Sequence, residues 1–401
     1  MCRPVTWKEH SRASKVGPSQ RKGNHVPASI IAAPEALVDR ARQQTGLSDY
    51  GADGWQEGLQ RFLAAVPGDI GLDAIAASVI ERTAVGRLVN RLRIEQWCAE
   101  HADAAAHGVD GPLLIVGLPR TATTALHHLL SVDTQFRYQR RWELLDPVPP
   151  PEVATESEDP RRLETKATAI THHISTVDGP IEDGPALGLN FGHQELGLPL
   201  PTYTRWWRTS DMTTTYAYHE RVLRLLHSRR PPYRWLLKAP SYCFHLSYIA
   251  AQYPNARFLW THRDPVVAIP STCSVVRNAQ ELVVPSHRSD PNELGAFILE
   301  HFVESMRLAT AARETLGEDR FCDIHQQDVE VRPIETVERI YEFTGLELND
   351  KVRSAMETWT VENRRGSLGE HEYTPEMYGL TANGIREAFR DYVERFSAAA
   401  S

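Results

Sequence analysis

The sequence is poor in cysteine: Cys2, Cys98, Cys243, Cys273 and Cys322 are the only five in 401 residues. They are too scattered for a disulfide framework, and none is paired at metal-ligand spacing. A reducing, cytoplasmic setting with no bound metal is therefore expected. Long apolar runs are missing too. No stretch approaches the roughly 18 residues of a membrane span, and the first residues lack the apolar core of a secretory signal. With 44 Lys+Arg against 52 Asp+Glu the formal charge is -8, so there is no overall cationic field for nucleic acid, and any anion site must be local. No internal repeat is present. What remains is ordinary globular text, 41% hydrophobic and 24% charged, in a chain longer than a single small core requires.

Residues 1–33 carry Arg3, Lys8, Arg12, Lys15, Arg21 and Lys22 among Gly, Ser and Pro, the pattern of a flexible basic tail. Residues 34–110 turn helical. Pro34-Glu35-Ala36-Leu37 opens one segment, and apolar residues recur at threes and fours from Ala76 to Ala102, predicting a helical cap. From residue 111 to 401 an α/β domain is expected. Three short apolar runs end in chemically active residues: Pro112 to Gly117, Tyr233 to Leu237 before Lys238, and Ala256 to Thr261 before His262-Arg263. Helical text follows each one. Such alternation predicts a P-loop-like parallel sheet flanked by helices, with ligands at the C-terminal ends of the strands. Residues 140–230 form a helical and loop insertion containing Tyr203, Trp206 and Trp207, which either line an apolar acceptor pocket or pack as core.

Gly117-Leu118-Pro119-Arg120-Thr121-Ala122-Thr123-Thr124 leads from the first strand into a helix, where free backbone N–H groups and the helix dipole favour an anion. Against G-x-x-x-x-G-K-[ST], Ala122 replaces the second glycine and Thr123 the lysine, while Thr124 keeps the hydroxyl. A kinase would need that lysine and a carboxylate-bound magnesium. Arg120 restores positive charge three residues earlier, suiting a phosphate neutralised without them.

These residues resemble the sulfotransferase superfamily, whose members carry a Pro-Lys/Arg-Ser/Thr-Gly/Ala-Thr-Thr loop for the donor's 5'-phosphosulfate; Pro119, Arg120, Thr121, Ala122, Thr123 and Thr124 match it throughout. The resemblance implies 3'-phosphoadenosine 5'-phosphosulfate (PAPS) as co-substrate. It further implies a 3'-phosphate site at Arg263 and Ser271, eight residues apart, and a basic closing loop at Arg365-Gly366. An Arg263–Asp264 pair and an ordinary cap at Ser271 would each be plausible singly. Leu236-Leu237-Lys238-Ala239-Pro240 is similar to a Leu-Lys-Ser-Pro segment of bacterial members, and a lysine at the end of a buried strand is costly unless an anion meets it. Lys238 is thus expected on the sulfate or bridging oxygen. Asp178-Gly179-Pro180-Ile181-Glu182 is similar to an acidic segment of the same group, and Tyr216 to Leu226 to the helix before its lysine strand.

The implied reaction moves a sulfuryl group onto a hydroxyl or amine of a small-molecule, lipid or glycan acceptor, with Arg120 and Lys238 stabilising the leaving group and a base taking the acceptor proton. Glu182, His193, Tyr242 and His245 are the candidates for that base. Glu182 ranks first because an ionised carboxylate needs no tuning. Tyr242 stands where many relatives have histidine, and an unperturbed phenol, at a pKa of about 10, is a poor base at neutral pH. A nucleotide-binding protein without turnover is the rival from another class. A homo-oligomer is compatible with the sequence.

Overall fold

The computed structural model describes residues 31–69, 74–102, 108–165, 168–170, 173–230, 233–284, 289–363 and 373–397. Most of the basic tail and the Arg365-Gly366 loop lie outside the described residues.

The apolar run Leu113–Gly117 is strand β1, buried at all five positions. With β2 (Phe136–Arg137), β5 (Arg234–Lys238), β6 (Arg257–His262) and β7 (Phe321–His325) it forms a parallel five-stranded sheet in the order β2-β5-β1-β6-β7. The remaining described strands, β3 (Thr168–Ile170) and β4 (His173–Ser175), pair as an antiparallel ribbon in the insertion. Register places Ile115 opposite Lys238 on one side and Leu259 on the other, so the ends of β5 and β6 flank the loop that leaves β1.

Alternation along β1 splits the core between the two faces of the sheet. Leu113 and Ile115 join Leu126 and Leu130 of the helix Thr123–Leu130 and Val337 and Ile340 of the helix Pro333–Thr344. Leu114 and Val116 face the other way, into a larger cluster that includes Trp260, Ile298 and Phe302. That cluster extends into the helices Pro34–Thr45, Trp55–Asp69 and Ala74–Glu100 through Leu37, Phe62 and Leu88. Arg91 fastens the same helices from within. Its buried guanidinium donates to Tyr50 O at 3.0 Å, Ala52 O at 3.0 Å and Asn190 Oδ1 at 2.7 Å, and stacks 3.7 Å from the Tyr218 ring.

Of the insertion's aromatics, Tyr203 and Trp207 are core. Both are buried on the helix Pro201–Trp207; Tyr203 donates its hydroxyl to Phe191 O, and Trp207 its Nε1–H to Gly192 O at 2.9 Å. Trp207 packs edge-on against Phe244 and His245. Among the described residues no helix is long and apolar enough to cross a membrane.

Candidate active site

The loop after β1 is built for close backbone approach. Gly117 sits at φ 129, where a Cβ would lie 2.4 Å from Thr261 O, so only glycine lets β1 end against β6. Arg120 and Ala122 then adopt left-handed backbone, at φ 66 and 69. For residues with a Cβ this costs about 1–3 kcal/mol each and is retained where backbone direction matters. Left-handed residues at a strand–helix junction turn successive N–H groups toward one concavity, an anion nest. The underside is tied down: Thr121 Oγ1 donates to Leu118 O at 2.6 Å and lies 2.6 Å from Thr261 Oγ1, while Gly117 N donates to Cys243 Sγ at 3.1 Å.

Three of the expected donor-binding side chains come together at this loop. Arg120 Nε donates to Ser271 Oγ at 3.0 Å, and Arg263 Nη1 donates to Arg120 O at 2.9 Å. Asp264 turns its carboxylate to Val266 N as a cap of the helix Pro265–Val283. Ser271 is not near that helix's start. It is the seventh residue, buried and directly after Pro270, so the amides beside it belong to the helix interior, and what it offers the site is its hydroxyl. The first seven residues of that helix, about two turns, bring Ser271 back over the loop.

At the end of β5, Lys238 Nζ donates to Glu182 Oε1 at 2.6 Å and to Thr124 Oγ1 at 3.4 Å. The lysine side chain is 4% exposed and the glutamate 48%, so the pair spans from the buried end of β5 to open solvent. Glu182 is held there by its neighbours. Pro180 bridges Arg140, Ile181 N donates to Gln139 O at 3.0 Å, and Asp183 N donates to Lys238 O at 3.0 Å.

Of the other base candidates, Tyr242 and His245 are enclosed and His193 is partly exposed. Tyr242 is fully buried and donates its hydroxyl to Asp183. His245 is buried among Trp207, Tyr216 and Phe244, with neither ring nitrogen hydrogen-bonded, and burial pushes its pKa down to about 3. His193 has its Nδ1 buried without a partner, and burial lowers its pKa. Asp183, which accepts from Tyr242, and His219 and Tyr253, which continue the chain of contacts behind it, carry no motif in the sequence. Only the position of Asp183 beside Glu182, and of His219 within the helix Thr213–His227, hinted at them. Among the described residues no group of three or more His, Cys, Asp or Glu could hold a metal ion.

A parallel sheet whose first strand feeds a glycine-started, arginine-bearing anion loop defines a P-loop-like α/β fold. A family model described as "Sulfotransferase family" matches residues 112–350, and the chain belongs to that family. It is accordingly a sulfotransferase. The chain is 25% identical over 310 residues to the omega-hydroxy-beta-dihydromenaquinone-9 sulfotransferase Stf3 of Mycobacterium bovis, covering 72% of this chain and 75% of that one. Its fold is similar to the crystal structure of sulfotransferase STF9 from Mycobacterium avium, with TM-score 0.84 and 28% identity over 92% of this chain and 98% of the other. STF1 from Mycobacterium tuberculosis follows, with TM-score 0.77 and 27% identity over 90% and 99%.

Proposed function

We propose that this enzyme transfers the sulfuryl group of PAPS to an alcohol hydroxyl on a lipid-like small molecule. The observation that supports the reading best is the convergence of Arg120, Arg263 and Ser271 on one loop, with the Lys238–Glu182 pair standing at the adjoining strand end. The loop amides and Thr123–Thr124 suit the 5'-phosphosulfate; Arg263 and Ser271 suit the 3'-phosphate. An acceptor of this kind is suggested by Stf3, whose name specifies an omega-hydroxylated menaquinone. An alkyl hydroxyl does not ionise at neutral pH, so it needs a base, and Glu182 is the most exposed of the four candidates.

In the reaction the acceptor oxygen attacks sulfur in line and the S–O bond to the 5'-phosphate breaks. The proton passes to Glu182, and adenosine 3',5'-bisphosphate leaves. Lys238 and Arg120 meet the charge that grows on the departing phosphate oxygen, so the work is alignment and charge stabilisation.

Arg263→Ala tests the donor assignment. It is expected to weaken adenosine 3',5'-bisphosphate by about ten- to a hundredfold, the value of a charge-assisted contact, and AMP hardly at all. Calorimetric titration of both nucleotides reads this directly. Equal losses for the two would move the 3'-phosphate away from Arg263.

A further inference from the structure

Behind the Lys238–Glu182 pair lies a second, wholly buried polar cluster. Asp183 is 1% exposed, and its Oδ2 accepts from the Tyr242 hydroxyl and lies 3.3 Å from His219 Nε2. His219 Nδ1 in turn stands 2.9 Å from the Tyr253 hydroxyl. We propose that Asp183 is a positioning residue for sulfuryl transfer: its buried carboxylate anchors the 180–183 segment so that Glu182 is presented to Lys238 and the acceptor. This rests on the reading of Glu182 as the base.

The geometry argues for an anchor. Glu182 reaches the open site while Asp183, with helical backbone at the N-cap of the helix Gly184–Gly188, is buried, and Asp183 N closes a hydrogen bond onto Lys238 O, the backbone of the residue Glu182 contacts. One residue therefore fixes both members of the catalytic pair, by its amide and by its side chain. Placement to within about 0.5 Å is what such a pair requires, and inner supporting hydrogen bonds are the usual means.

The cluster is also poorly suited to stability alone. Asp183 Oδ1 is buried with no hydrogen-bond partner. Burial raises the carboxyl's pKa, and His219 and Lys238 oppose the rise; besides Tyr242, Tyr216 and Tyr253 stand near it and are themselves pushed up by burial. A half-satisfied buried carboxylate costs the fold free energy that a neutral side chain of the same shape would not. Its position next to the Lys238–Glu182 pair fits a role in catalysis.

The test is a double-mutant cycle on the full chain. Asp183→Asn is expected to keep its thermal midpoint and its affinity for adenosine 3',5'-bisphosphate, leave the KM for PAPS within about twofold, and lower kcat about 10- to 100-fold, the range typical for lost supporting contacts. Tyr242→Phe, which leaves the His219 contact in place, should show a smaller loss of the same kind. Combined with Glu182→Gln, Asp183→Asn should add almost nothing, because a base already removed cannot be mispositioned. Wild-type kcat in Asp183→Asn, or a loss that multiplies fully with that of Glu182→Gln, overturns the proposal. So does a parallel collapse of kcat, nucleotide affinity and thermal midpoint, which marks a purely structural residue. An inactive Glu182→Gln beside an unimpaired Asp183→Asn would sink this inference and leave the base assignment standing; a fully active Glu182→Gln would sink the base assignment itself.

Discussion

Glu182→Gln is expected to lower turnover by about 10² to 10⁴ while nucleotide affinity stays nearly intact. The amide keeps the shape of the carboxylate, and its oxygen can still accept the hydrogen bond that Lys238 Nζ now gives Glu182 Oε1 at 2.6 Å. What disappears is the capacity to take a proton. The effect should therefore fall on kcat, and the acidic limb of the kcat profile that a carboxylate base produces should vanish in the variant. Tyr242→Phe and His245→Gln should cost less, since Tyr242 spends its hydroxyl on Asp183 and His245 is sealed among aromatic rings. Full turnover in Glu182→Gln with a dead His245→Gln would transfer the role to the histidine.

Lys238→Met should cost about 10² to 10³ in kcat, the usual result of deleting one preorganised donor from a site where charge develops. The cation is 4% exposed, its stem lies in the sheet, and its ammonium group reaches both Thr124 at the anion loop and Glu182 at the acceptor side. A charge held in that position acts most strongly when the phosphate oxygen becomes a leaving group. Single-turnover kinetics with saturating PAPS separates the step from binding. A raised KM with unchanged kcat would mean that Lys238 binds donor and transition state alike and contributes nothing specific to transfer.

The parts of the site that could be read in the sequence are those whose chemistry is local. Gly117 to Thr124 states its strand, turn and helix within eight residues, and Lys238 and Arg263 each close an apolar run that β5 and β6 reproduce. Strand β7, Phe321–His325, was not evident because Asp323 interrupts a short run, and β2 has only two residues. Spatial order was equally hidden: β1 lies between β5 and β6, more than a hundred residues downstream of it. A cap at Ser271 is plausible from the sequence because local spacing cannot say that Pro265 already begins the helix and that Pro270 sits inside it. The Asp183–His219–Tyr253 chain spans 70 residues of sequence (183 to 253) and exists only once the helix Thr213–His227 brings His219 between Asp183 and Tyr253. Tyr203 and Trp207 illustrate the converse, since aromatic text announces burial without saying whether a pocket or the core receives it.

The most direct test is transfer itself: the purified full-length enzyme, PAPS, and a hydroxyl-terminated isoprenoid quinone, with EDTA present and the product examined by mass spectrometry. In the proposed mechanism Arg120, Lys238 and Arg263 supply the cations that a magnesium-dependent enzyme takes from the metal. A sulfated product formed equally with and without EDTA, together with stoichiometric adenosine 3',5'-bisphosphate, is the predicted result. Strict dependence on magnesium, or tight nucleotide binding with no transfer to any hydroxyl acceptor, would contradict the account.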